Sequence, residues 1–285
     1  MSIVAFANAK INLTLDCLTK KPDGYHDIDT VMQSVSLFDT LFIDITEGDI
    51  TVSTNIKNIE NEDNLVYKAI SLFFDKTDIP AGANCHIIKR IPLVAGLGGG
   101  SADAAAALLT LNKYYDYPLN DEELLDISIK LGADVPFFLV GGTVRCTGIG
   151  EELYALPYIG DYNVLLVKSG NKTSTKTMYE KIDKSVKTSQ NYTKLFLENL
   201  EKNKPFKTKL KNCFLDVLDD KQSKTELINE IALFKAVASG LTGSGPTVFG
   251  LFDNFSSAFL AYNHFKDKGY EVYLCKTEEQ GIIVE

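Results

Sequence analysis

Between residues 3 and 15 apolar and polar positions alternate. Ile3, Ala5, Ala7, Ala9, Ile11, Leu13 and Leu15 share one side, while Asn8, Lys10, Asn12 and Thr14 share the other. A period of two predicts a strand with one buried face and one face turned to solvent or to a site. Lys20-Lys21-Pro22-Asp23-Gly24 then supplies turn chemistry, since Pro fixes one φ and Gly permits a positive one. Further strands are expected around 41–45, 50–53 and 84–89. Helical spacing appears at Leu65, Ala69, Leu72 and Phe73, and an Ala/Leu helix is expected over 102–111. A further helix over 121–130 carries acidic residues in its first turn and Lys130 in its last, and stops at Leu131-Gly132. Gly141-Gly142 leads into a strand at 143–147.

Gly150, Pro157 and Gly160 punctuate the chain next, which divides it into a unit over 1–155 and a second over 156–285. The second opens on a buried strand at 163–167. A stretch rich in Lys, Ser, Thr and Asn follows over 168–211, helical in parts. Then come a helix over 226–238, a glycine turn and strand over 241–249, a helix over 255–268 and a strand over 270–276. Strands and helices mix without a regular βαβ rhythm, which predicts an α+β fold.

Composition narrows the function. With 45% hydrophobic and 24% charged residues in 285, a packed core is expected. The net charge of -9 argues against a general nucleic-acid surface. Cys17, Cys85, Cys146, Cys213 and Cys275 are scattered, and His26, His86 and His264 lack metal-ligand spacing. No metal ligands are therefore assigned. The N-terminus reads as a strand rather than a leader, and no apolar run is long enough to span a bilayer. The expected setting is the cytoplasm, without membrane partners.

The strongest chemical signal is Pro92-Leu93-Val94-Ala95-Gly96-Leu97-Gly98-Gly99-Gly100-Ser101-Ala102. Glycines let the backbone approach a ligand, successive N–H groups form an anion nest, and the following helix adds its orphan donors. Ser101 could cap that helix or turn its hydroxyl to a phosphate or Mg²⁺. The run has neither the Gly-Lys-Ser/Thr of a Walker loop nor the context of a Rossmann fingerprint. Alone, Lys10 is a solvated strand charge and Asp134 a cap or turn residue. Together with a phosphate cradle they could supply the cation and the base of a phosphoryl transfer to an alcohol. Tyr25 and His26 follow the turn as a recognition corner, able to stack and to hydrogen-bond. Thr242-Gly243-Ser244-Gly245-Pro246-Thr247 forms a second glycine turn.

These segments, in this order, resemble the GHMP kinase superfamily, which includes galactokinase, homoserine kinase and mevalonate kinase. The Ala9-Lys10-Ile11-Asn12-Leu13 strand, Asp23-Gly24-Tyr25-His26 and Leu131-Gly132-Ala133-Asp134-Val135-Pro136-Phe137 narrow it to the branch acting on a cytidyl alcohol of the non-mevalonate isoprenoid pathway. The resemblance implies a ribosomal-protein-S5-like N-terminal domain, containing a left-handed βαβ unit, and a ferredoxin-like C-terminal domain. It implies transfer of the ATP γ-phosphate, with Mg²⁺, to the 2-hydroxyl of the methylerythritol part. Lys10 and Asp134 match the catalytic pair, and residues 92–102 the ATP loop. Asn12, Tyr25 and His26 match substrate positions, with His26 on the cytosine edge and Tyr179 as the ring stacking on cytosine. A different GHMP acceptor is disfavoured by the Asp-Gly-Tyr-His corner, and a nucleotide-binding regulator without activity by the intact Lys10 and Asp134.

Overall fold

The computed structural model describes residues 2–57, 59, 62–171, 173–185, 191–204, 206 and 210–285. Parts of the polar stretch 168–211, namely 172, 186–190, 205 and 207–209, lie outside the described residues.

The alternating segment forms strand β1 (Ile3–Lys20), and it extends five residues beyond the alternation. Both of its faces are buried: Asn8, Lys10, Asn12 and Thr14 are each at most 3% exposed. The polar face is therefore turned into the protein and not to solvent. β1 turns at Gly24, whose φ of 91° is the left-handed value expected there. It pairs antiparallel with β2 (His26–Thr46) from Lys20 opposite His26 to Ile3 opposite Ile43, with register shifts after Asn8, Asn12 and Cys17. The short strand expected at 41–45 is thus the end of a strand of 21 residues. Its earlier part, with Asp29, Thr30, Gln33, Ser34 and Asp39 all buried, shows no apolar period to read.

β3 (Thr51–Thr54) and β4 (Gly82–Ile88) pair in parallel, joined through helix α1 (Leu65–Thr77). β4 also pairs with β2. Helices α2 (Gly99–Tyr114), α3 (Asp121–Leu131) and α4 (Val135–Val140) follow, then β5 (Thr143–Thr147) and β6 (Glu152–Ala155). α4 stands where sequence showed only an apolar run, because six residues are too few to display a helical period. α2 carries alanine and leucine on all sides, and Ala102, Ala104, Ala105, Ala106, Ala107 and Leu108 are fully buried. A helix apolar all round belongs in the centre of a core.

The second sheet contains β7 (Asn163–Lys168), β8 (Ala238–Leu241), β9 (Thr247–Phe252) and β10 (Glu271–Lys276) in the antiparallel order β10-β7-β9-β8. Helices α5 (Thr175–Lys184) and α6 (Tyr192–Leu200) follow β7; α7 (Lys221–Leu233) and α8 (Phe255–Asp267) then complete with the four strands the βαββαβ order of the ferredoxin-like motif. α7 replaces the helix expected at 226–238. Lys235, at φ 65°, ends the helical course without a glycine to announce it. On β7, Val164 and Leu166 join the core between the two sheets, whereas Leu165 and Val167 face the core under α7 and α8. Both faces are buried, so the strand reads as one apolar run. The outer strand of the first sheet, β11 (Ile282–Val284), comes from the far end of the sequence and pairs with β1 at Ala5–Ala7. Among the described residues, no helix is long and apolar enough to cross a membrane.

Candidate active site

A cavity of about 710 Å³ opens where β1, the hairpin turn, α2, the start of α4 and the second sheet's loops meet. Lys10, Asn12, Tyr25, His26, Asp134 and Tyr179 all line it, with Gly96 and Ser101 from the glycine loop. Sequence-assigned residues from five segments thus share one space.

Lys10 is fixed by its strand. Its backbone N–H donates to the Leu97 carbonyl at 3.0 Å, which ties β1 to the glycine loop. Its ammonium donates to Asn12 Oδ1 at 2.7 Å and lies 3.5 Å from Asp134 Oδ2. The lysine side chain is 3% exposed and the aspartate 41%, so the pair runs from the dry interior to the cavity. Asp134 occupies the N-cap position of α4, yet its side chain makes no capping bond. The cap reading of this residue therefore gives way to an ion pair with Lys10.

Asn12 is 1% exposed and ties several elements together. Its Oδ1 accepts from Lys10 and from the Gly243 N–H at 2.9 Å, and its Nδ2 donates to Thr30 Oγ1 at 3.0 Å. Its backbone N–H donates to Thr242 Oγ1, which donates to the Gly96 carbonyl, each at 3.1 Å. β1 thus holds both glycine turns at once.

The glycines at two loop positions are required by space. Gly98 has φ 74°, and a Cβ there would sit 2.6 Å from the Phe138 ring and 3.1 Å from the Lys10 side chain. Gly96 has φ 77°, and a Cβ would sit 2.7 Å from the Thr242 carbonyl oxygen. A residue with a side chain would be strained by backbone and neighbours alike. Gly98 is also the N-cap of α2, without a side-chain cap, so Ser101 lies inside the first turn and lines the cavity instead of capping. The first N–H groups of a helix lack intrahelical partners, and here they open beside the cavity. This is the geometry of an anion cradle. In the rest of the segment, Ala95, Leu97 and Ala102 face the core, whereas Val94 is exposed.

At the opposite wall, His26 Nε2 and Asp183 Oδ1 are 2.7 Å apart, and Lys20 donates to Asp183 Oδ2 at 2.5 Å. Asp183 lies on α5 (Thr175–Lys184). The Lys20 ammonium, and then His26, hold its carboxyl down at about 2. Tyr179, also on α5, stacks on His26 with centroids 4.7 Å apart and 8° between planes. Its edge meets Phe214, and burial pushes its hydroxyl well above the usual range. One face of the ring assigned to cytosine lies against His26, and Tyr25 is 61% exposed at the cavity rim. Sequence reading missed Lys20, Lys176 and Asp183, which line the cavity. Their only signal was position: Lys20 precedes the turn, and Asp183 lies four residues, about one helical turn, past Tyr179.

Residues 64–142 match the family described as GHMP kinases N terminal domain, and residues 224–271 match GHMP kinases C terminal. Over 276 residues the chain is 38% identical to the 4-diphosphocytidyl-2-C-methyl-D-erythritol kinase of Clostridium tetani, covering 95% of this chain and 98% of that one. The chain belongs to the 4-diphosphocytidyl-2-C-methyl-D-erythritol kinase family. A crystal structure of 4-(cytidine 5'-diphospho)-2C-methyl-D-erythritol kinase matches with a TM-score of 0.79 at 27% identity, over 96% of this chain and 98% of that one. A homoserine kinase from Cytophaga hutchinsonii matches with a TM-score of 0.76 at 18% identity, over 100% and 97%, which shows the shared fold. The kinase family fits the fold described above: a mixed first layer, a ferredoxin-like second layer, and a cavity between them lined from both.

Proposed function

We propose that the chain transfers the γ-phosphoryl group of ATP to the 2-hydroxyl of 4-diphosphocytidyl-2-C-methyl-D-erythritol, with residues 1–155 supplying the donor loop and catalytic pair and residues 156–285 the facing wall. The observation that carries this reading is the Lys10–Asp134 pair, 3.5 Å apart, opening into a cavity shared by the glycine loop and the Tyr25–His26 corner. Loop N–H groups and the start of α2 hold the phosphates. Asp134 orients the acceptor hydroxyl and takes its proton as the new O–P bond forms and the bond to ADP breaks. Lys10, held by Asn12, keeps Asp134 in place and offsets charge developing on the acceptor oxygen. Mg²⁺, when bound with ATP, would neutralise phosphate charge, and Ser101 is the side chain proposed to hold it. Among the described residues, no group of three or more His, Cys, Asp or Glu could hold a metal. Tyr25 and His26, with α5 behind them, form the cytosine side. None of the five cysteines is in a disulfide, which supports the cytoplasm as the setting.

Asp134→Asn tests the core of the proposal. In an ADP-release assay kcat is expected to fall by about a hundredfold or more. An unchanged kcat overturns the base role. Running the same assay with homoserine, mevalonate and galactose checks the acceptor, since turnover only with one of these overturns the cytidyl assignment.

A further inference from the structure

Beneath the glycine loop lies a charged cluster that the proposed chemistry does not use. Asp39 comes from β2, Lys89 from the residue after β4, and Asp103 from the second turn of α2. Their side chains are 0%, 3% and 4% exposed. The Lys89 ammonium donates to Asp39 Oδ2 and to Asp103 Oδ2. Asp39 Oδ1 accepts from the backbone N–H of Arg90 and, at 2.8 Å, of Ile91. We infer that Asp39, Lys89 and Asp103 form a buried clamp that sets the shape of the loop, with Lys89 and Asp103 as positioning residues for the nucleotide.

The connectivity supports this directly. Asp39 grips the loop's entrance at Arg90 and Ile91, and Asp103 grips its exit on α2. Lys89 joins the two grips, so the segment between them spans fixed points. The clamp also lies against the helix start: a Cβ on Gly99 would come 3.4 Å from Lys89 Nζ and 3.0 Å from Ile91 Cγ2.

The arrangement is costly as a source of stability. Burial is the main influence on Asp103 and pushes its carboxyl up to about 7; Lys89 opposes this and Asp39 adds to it. Asp103 Oδ1 is buried without a hydrogen-bond partner among the described residues. Two carboxyls share one ammonium in a dry interior, so burial holds Asp103 toward its neutral form, and an apolar residue in such a place is often as stable or more so. Placement under the anion cradle gives the cluster a geometric use.

The inference rests on the reading of residues 92–102 as the ATP cradle, and the test separates the two. Asp103→Leu removes one arm but leaves a balanced Lys89–Asp39 pair, so the variant is expected to melt at or above the wild-type temperature. Its KM for ATP, and its calorimetric Kd for ATP without acceptor, are expected to rise about tenfold. The KM of the cytidyl acceptor stays within about twofold. Lys89→Met shows the same split with a lower melting temperature. A folded Asp103→Leu that binds ATP like wild type overturns the clamp. Gly98→Ala is the control for the cradle: if it too leaves ATP binding unchanged, the cradle reading fails as well; if it alone weakens ATP, only the clamp fails.

Discussion

The molecule has two glycine turns in contact, and each leads into a different kind of element. The first, at Gly96–Ser101, runs into α2, so backbone N–H groups at its end remain available to an anion. The second, at Thr242–Thr247, runs into β9, and the N–H groups of Thr242, Gly243 and Gly245 are engaged within the protein. Gly243 N–H donates to Asn12 Oδ1, and Gly245 N–H donates to the Thr242 carbonyl. Similar composition thus gives a cradle in one half and a buttress in the other. A glycine-rich segment takes its chemistry from the element it feeds.

This contrast can be broken by substitution. Gly96→Ala has the largest expected effect, because its Cβ would meet backbone oxygens of the buttress at 2.7 and 2.9 Å at a φ of 77°. A loss of about 3 kcal/mol of stability is expected by urea unfolding, together with weakened ATP binding. Asn12→Ala comes next. It leaves the Gly243 N–H and the Lys10 ammonium without their shared acceptor, at about 2 kcal/mol, and lowers kcat through the freed Lys10. Gly245→Ala sharpens the comparison from the other side. Its Cβ would meet only the Leu241 side chain, at 3.6 Å, so the cost is the left-handed backbone alone, about 1 kcal/mol, with ATP KM unchanged.

The smallest effect concerns the bond between the halves at Asp183. Its carboxyl is held at about 2 against an ordinary 3.8, by Lys20 first and then His26. A lowered value means a contribution present above the ordinary range and lost as pH falls toward 2. Melting temperatures of wild type and Asp183→Asn are therefore expected to differ at pH 6 and to converge between about pH 4 and pH 2. A constant difference across that window removes the ion pair from the account.

Much of the site was legible because its residues sit in short motifs with strong local chemistry. The glycine loop could be read within a few neighbours, whereas Lys10 and Asp134 gained meaning only beside it, and all three line one cavity. The fold was legible where one face of an element is polar, as in α8. It was not legible where both faces are buried: the early part of β2 carries Asp29, Gln33 and Asp39 inward, which hides its period. Nor was it legible where pairing is remote. Asp183 lies 157 residues from His26, and nothing local to either marks the contact. The clamp was hidden likewise, since Asp39 and Lys89 lie 50 residues apart and either alone passes for a surface charge.

The strand β11 carries a consequence for biosynthesis. Ala5 of β1 finds its partner in Val284, so nearly the whole chain must be translated before that flank of β1 is covered. At roughly 5–20 residues per second, the edge stays open for tens of seconds on the ribosome. An uncovered strand edge is a template for pairing with other chains. The nascent chain is thus most vulnerable to aggregation before the strand that carries Lys10 is sealed.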